Sequence, residues 1–251
     1  MIGIIGGSGL DDPDILKNAK DVEVETSFGK PSSPLKIGEI GGVKVCLIAR
    51  HGRKHTIPPT QVNNRANIQA LKDQGCKAIL ATTACGSLRK EIGRGDLVIL
   101  DQFIDFTRLR KLTFFEEFQE GGGGPKHVAM PEPFAQELRE LLIGTCKDLK
   151  LKFHEKGTVV TIEGPRFSTR AESRMFRTWG ADVINMSVAP ECILANEAEI
   201  PYAAIAMSTD YDSWCIEEAP VEWKEILRVF GANVEKVTTL IVKTIPSIIE
   251  N

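Results

Sequence analysis

No stretch of this 251-residue chain approaches the roughly 18 consecutive apolar residues of a membrane-spanning helix, so a span is excluded on length alone. An excess of charge of either sign is also missing. The 31 basic and 34 acidic residues are interspersed and leave a net charge of −3. With neither a basic stripe nor a polybasic segment, neither nucleic acid nor a membrane surface is expected as a partner. Paired cysteines are absent as well: Cys46, Cys76, Cys85, Cys146, Cys192 and Cys215 include no C-x-x-C and lie mostly in apolar surroundings. Free buried thiols in a cytoplasmic protein are the expectation, not disulfides. Histidines are few, and only His51 and His55 stand four apart; Pro58 and Pro59 follow closely and argue for a loop. No metal site is therefore expected. The N-terminus enters an apolar strand directly, without the charged start or cleavage site of a signal peptide.

What the chain does have is alternation. Met1 to Ile5 reads as a strand stopped by Gly6-Gly7-Ser8-Gly9, and Leu35 to Ile40 with Val43 to Ala49 as a hairpin about Gly41-Gly42. Helical spacing runs from Asn64 to Gln74 and ends at Gly75. Ala78 to Thr83, Asp96 to Phe103, Gly157 to Ile162, Val183 to Met186 and Ile200 to Met207 read as buried strands. Pro133 to Leu149, Ala171 to Trp179 and Glu222 to Ile245 read as helices. Between Asp105 and Pro125 lies a long irregular stretch carrying Phe114, Phe115 and Phe118 and closing on four glycines. Strand and helix in turn predict a single α/β domain over residues 1–251, with a central mixed, mostly parallel sheet flanked by helices.

Polar residues collect where these strands end. Asp210 and Asp212 follow an apolar strand two residues apart, so an extended chain would aim both carboxylates into one pocket. Gly7 and Ser8 offer backbone N–H groups and a hydroxyl to an anion, although the dinucleotide fingerprint fails because Asp12 stands where it needs glycine. Arg50 offers a planar fork suited to phosphate oxygens, and His51 a second donor or a proton mediator. A rival reading is the histidine-phosphatase pattern R-H-G-x-R, but here Arg53 follows Gly52 directly and Lys54 occupies the required arginine position. Thr82-Thr83-Ala84-Cys85-Gly86-Ser87 closes another strand with hydroxyls and a permissive glycine. Phe167, beside Ser168, could stack on a planar base. Asn185-Met186-Ser187 closes a further strand.

Taken in order, Gly6-Gly7-Ser8-Gly9-Leu10, Ala49-Arg50-His51-Gly52, Thr82 to Ser87, Glu163 to Ser168, Gly180 to Met186 and Thr209-Asp210-Tyr211-Asp212 resemble the trimeric purine nucleoside phosphorylases. The resemblance runs from residue 2 to about residue 248, and it is greatest for the branch that cleaves 5′-methylthioadenosine. It implies phosphorolysis: phosphate attacks C1′ of the ribose and adenine leaves. Inorganic phosphate would be a co-substrate, and no cofactor is implied. By the same resemblance Ser8, Arg50, His51, Thr83, Ala84 and Ser187 would hold phosphate, with Asp210, Ser187 and His51 nearest the chemistry. Met186 would lie under the ribose, and Phe167, Ser168, Asp210 and Asp212 would face the base. Relatives that prefer 6-oxopurines carry asparagine at the first acid, so Asp210 points to adenine. The helix start would border the 5′ end of the ribose with Trp223, Ile226 and Leu227, one apolar face that suits a methylthio group. His127 would reach the 5′ pocket of a neighbouring subunit, making the protein a homotrimer or a dimer of trimers. Adenosine, inosine, guanosine and methylthioinosine are the alternative substrates, and a nucleoside-binding protein without turnover is the non-enzymatic alternative.

Overall fold

The computed structural model describes residues 1–7, 15–117, 127–217 and 223–250 of the chain. Its strands are β1 (Ile2–Gly6), β2 (Lys17–Val22), β3 (Leu35–Ile40), β4 (Val43–Ala49), β5 (Ala78–Ser87), β6 (Leu97–Ile99), β7 (Gln102–Phe106), β8 (Phe153–His154), β9 (Thr158–Ile162), β10 (Val183–Asn185) and β11 (Tyr202–Tyr211). Its α-helices are α1 (Asn64–Asp73), α2 (Gln136–Asp148), α3 (Arg170–Thr178), α4 (Val188–Glu197), α5 (Trp223–Thr244) and α6 (Ser247–Glu250).

These strands form one mixed sheet. Parallel pairs join β1 to β4 and β5, β11 to β5, β9 to β7 and β10, and β6 to β8. Antiparallel pairs join β2 to β3, β3 to β4, β10 to β5, and β11 to β6. Period-two alternation splits the apolar side chains between the two faces. Ile5, Cys46, Ile48, Ala204 and Ala206 pack with Ile68 and Leu71 of α1 and with Cys192, Leu194 and Ala195 of α4. Ile2, Ile4, Val45, Leu47, Ala203, Ile205 and Met207 pack with Leu138 and Leu142 of α2 and with Leu240 and Ile241 of α5. Each such leucine or isoleucine contributes about 1.5–3 kcal/mol by leaving water.

The long strand β5 organises the functional end. Along one edge it pairs with β11 from Ile79 to Ser87. Its other edge is shared: β1 takes Ala78 to Ala81, and β10 takes Gly86 and Ser87. Between them, among the described residues, Thr82 to Cys85 have no strand partner on that edge, and the sheet opens. Gaps of this kind, past the ends of parallel strands, are where open α/β sheets receive ligands.

Two expectations need correction, and two elements, α4 and β2, have no counterpart in the sequence reading. Asp96 to Phe103 is not one strand: the chain turns at Leu100-Asp101 because Leu97–Ile99 pairs with β11 whereas Gln102–Phe106 pairs with β9. Asp105 and Phe106 consequently belong to β7, and the irregular stretch starts after them. Helix α4 was not anticipated. It is buried nearly all round, so it has no amphipathic period, and Pro190 reads as a breaker. Proline is harmless there because it sits in the first turn, whose N–H groups have no intrahelical acceptor. Strand β2 was missed because its residues are polar and mostly exposed, as suits a charged edge strand.

Candidate active site

Opposite the gap in β5 lies a cavity of about 390 Å³. Of the residues singled out from sequence, Arg50, His51, Thr83, Ala84, Phe167, Ser168, Met186, Ser187, Asp210 and Asp212 all line it. Ser8 and Phe118 lie outside the described residues, as do the side chains of Trp223, Ile226 and Leu227. His127 is described, but it is exposed and does not line the cavity.

The cationic end is assembled from three strand ends. Arg50, just past β4, is only 1% exposed. It donates to both carboxylate oxygens of Glu191 and, through Nη1 at 2.8 Å, to the carbonyl of Thr82. His51 places Nδ1 2.9 Å from the Ile57 carbonyl. A carbonyl can only accept, so that nitrogen carries the proton and the tautomer is fixed. The His55 ring stands beside it, centroids 4.7 Å apart. From β5, the Thr83 hydroxyl lies 3.2 Å from that of Ser187, the N-cap residue of α4. Asn185 ties these together: it donates to Thr83 Oγ1 at 3.3 Å and accepts from Thr161 Oγ1 at 2.7 Å.

The acidic end lies three residues further along β5, about 10 Å away at strand rise. There Asp210 pairs with Gly86 after a register shift at Ser208. Burial pushes the Asp210 carboxyl up to about 6, opposed by the Thr209 hydroxyl, which donates to it at 2.7 Å. Asp212 is raised too, again by burial first, but it collects hydrogen bonds from Ser168, Ser173 and the Ser213 backbone that favour its charge. Ser168 donates to its Oδ2 at 2.5 Å. Two acids in one pocket thus meet different environments, one poised to hold a proton and one to accept hydrogen bonds.

Local sequence explains the placement of Ser168. Thr169 and Glu172 form a capping box at the start of α3, each side chain bonded to the other's backbone N–H. That fixes the chain entering the helix, with Ser168 turned inward at 6% exposure and Phe167 outward at 39%. Gly164 lets Met186 approach, since a Cβ there would run into the Met186 sulfur. Arg110, from the irregular stretch, is anchored on Glu163 and donates to the Met186 carbonyl at 3.3 Å.

The phosphatase pattern does not converge. Arg53 pairs with Asp21 of β2, and neither Arg53 nor Lys54 lines the cavity. Among the described residues no cluster of three His, Cys, Asp or Glu side chains could hold a metal, and no helix is long and apolar enough to cross a membrane. All six cysteines are free, five of them buried. Sequence reasoning missed Glu191, because it lies on the unanticipated helix, and gave Asn185 and Thr209 no role. The wall formed by His55 and Ile57 to Pro59 was also missed, since nothing in a proline-containing loop signals where it folds back.

The model of the phosphorylase superfamily matches residues 1–246. The chain is 55% identical to an S-methyl-5′-thioadenosine phosphorylase of Xenopus tropicalis, over 98% of this chain and 88% of the relative. It is 51% identical to one from Thermofilum pendens, over 99% and 92%. Among solved structures, methylthioadenosine phosphorylase from Schistosoma mansoni in complex with adenine superposes with a TM-score of 0.95 at 41% identity, covering 100% of this chain and 92% of that one. A variant of the Schistosoma adenosine/methylthioadenosine phosphorylase in complex with methylthioadenosine superposes at 0.91 and 40% identity, covering 98% and 91%.

Proposed function

The chain belongs to the phosphorylase superfamily, and from that membership and the cavity beside β5 we infer that it splits 5′-methylthioadenosine with inorganic phosphate. The products are adenine and 5-methylthioribose 1-phosphate, so the enzyme is a pentosyltransferase of purine and methionine salvage.

One observation supports the assignment of roles best: hydroxyls and a buried arginine at one end of the cavity, and two acids of unlike environment at the other. Breaking the bond from C1′ to N9 leaves positive charge on the sugar and negative charge on the purine. Phosphate held by Ser8, Arg50, His51, Thr83, Ala84 and Ser187 stabilises the first charge and attacks C1′, forming the new C–O bond. The electron pair of the broken bond passes into the purine ring, and Asp210 gives its proton to N7. Asp212 accepts from the 6-amino group, oriented by Ser168. Met186 lies under the ribose and Phe167 covers the base. Phosphate is a co-substrate, and neither a cofactor nor a metal is needed.

The 5′ end is bordered in this reading by Trp223, Ile226 and Leu227, so a methylthio group is preferred to a hydroxyl. Adenosine is the second substrate, supported by the similarity to the Schistosoma adenosine/methylthioadenosine phosphorylase. The whole chain, 1–251, works as one cytoplasmic domain. Three copies associate, and His127, exposed and away from its own chain's cavity, completes a neighbour's 5′ pocket. Competition of methylthioadenosine against adenosine and inosine at equal concentration tests the substrate assignment. Methylthioadenosine should be consumed first; equal or faster loss of inosine would overturn it.

A further inference from the structure

Glu191, the buried partner of Arg50 behind the phosphate end, has no place in the chemistry so far. Glu191 is fully buried and does not line the cavity, so it touches no substrate. Its two oxygens nevertheless take the side edge of the Arg50 guanidinium, Oε1 from Nε at 2.5 Å and Oε2 from Nη2 at 3.0 Å. With Nη1 bonded to the Thr82 carbonyl at 2.8 Å, all three guanidinium nitrogens have a protein acceptor and the plane of the group is fixed. Glu191 is itself held. The Tyr202 hydroxyl donates to Oε2 at 2.8 Å. Burial, and then the Glu191 charge, push the tyrosine pKa well up, so it remains a donor.

The position of Glu191 in the fold matters as much as its contacts. Ser187 occupies the N-cap position of α4 and Glu191 follows it by four residues, about one turn along the helix. A single rigid element therefore brings a hydroxyl into the cavity and a carboxylate behind the arginine. We propose that Glu191 is a positioning residue for phosphate, holding the Arg50 guanidinium in its working plane, with Tyr202 as the strut behind it. The proposal rests on the reading of Arg50 as a phosphate ligand. A purely structural ion pair would make a different set of predictions, because it would matter for folding and not for phosphate in particular.

Glu191→Gln keeps the size of the side chain but exchanges one acceptor oxygen for a donor, so either Nε or Nη2 of Arg50 loses its acceptor. The KM for phosphate should rise by about tenfold or more, the scale of one lost charge-assisted hydrogen bond, while the KM for methylthioadenosine stays where it was. The rise in Tm that phosphate produces should shrink in parallel, a readout independent of turnover. Tyr202→Phe should move phosphate KM the same way by about threefold, as for a neutral hydrogen bond. In an Arg50→Ala background, Glu191→Gln should add nothing to the phosphate KM. If the Glu191→Gln protein does not fold, Tyr202→Phe decides alone. The inference is overturned if phosphate KM is unchanged, if both KM values rise together, or if the effect persists without Arg50. Should Arg50→Ala itself leave phosphate dependence intact, the phosphate-ligand reading falls and this inference falls with it.

Discussion

Gly86 makes room for Asp210. A Cβ at position 86 would stand 3.1 Å from Asp210 Oδ2 and 3.1 Å from Ile184 Cγ2, tighter than ordinary contact on both sides. The Asp210 carboxyl is thus seated against a bare stretch of β5 backbone, and its position depends on a missing side chain on the neighbouring strand, 124 positions away in sequence.

Gly86→Ala should therefore damage catalysis more than folding. The methyl group displaces the Asp210 carboxylate or pushes Ile184 outward, an overpacking cost on the order of 1–3 kcal/mol. We expect kcat for methylthioadenosine to fall at least tenfold with a small loss in Tm, read by steady-state kinetics beside thermal melts. Unchanged kcat would mean that Asp210 tolerates displacement and does not act at a fixed atom.

The raised pKa of Asp210 makes a stability prediction with a definite sign. Its folded value is about 6 against an ordinary 3.8, so between these values the native state binds more protons than the unfolded chain. This group's contribution therefore falls as pH rises through that window and remains unfavourable above about 6. Asp210→Asn removes the penalty. The variant should gain stability over wild type at pH 8, on the order of 2–3 kcal/mol, and lose that advantage near pH 4. Denaturant melts at both pH values check it; a difference independent of pH would contradict the buried, proton-holding acid.

The same substitution should change substrate choice. An amide offers one donor and one acceptor, which matches N7 and O6 of a 6-oxopurine, and it cannot give up a proton to N7 as the acid does. The ratio of kcat/KM for methylthioadenosine to that for inosine should drop in Asp210→Asn. A constant ratio would move the discrimination to Asp212 and Ser168.

Much of this site could be read from the chain, and for a physical reason. Strand ends in an α/β sheet converge, so Arg50, Thr83, Ser168, Ser187 and Asp210 could be grouped without knowing the order of the strands. Apolar runs located β1, β4, β5, β9, β10 and β11 because their side chains are buried on both faces. Residues that act through others left no such trace. Glu191 and Asn185 earn their importance from partners more than 100 positions away in sequence, Arg50 and Thr83, and only the folded sheet brings those together. Helix α4 failed to register because burial on every side erases the period that marks a helix.

Association of copies makes a separate prediction. Leu109 is 75% exposed and Ile216 68%, with Phe115, Val128 and Phe167 also open to solvent. Association of copies, as proposed above, would cover part of this exposed apolar surface. Light scattering should give three times the chain mass, or six, and His127→Ala should raise the KM for methylthioadenosine without altering that for phosphate. A fully active monomer would contradict the shared 5′ pocket.

The central claim is that phosphate, and not water, takes the sugar. The cavity gathers anion donors at Arg50, Thr83 and Ser187, with His51 beside them. The direct measurement is adenine release from methylthioadenosine, followed with inorganic phosphate and again in phosphate-free buffer. The account predicts rapid release with phosphate, one sugar 1-phosphate formed per adenine, and almost none without it. Equal release in the absence of phosphate would make the protein a hydrolase and contradict the account.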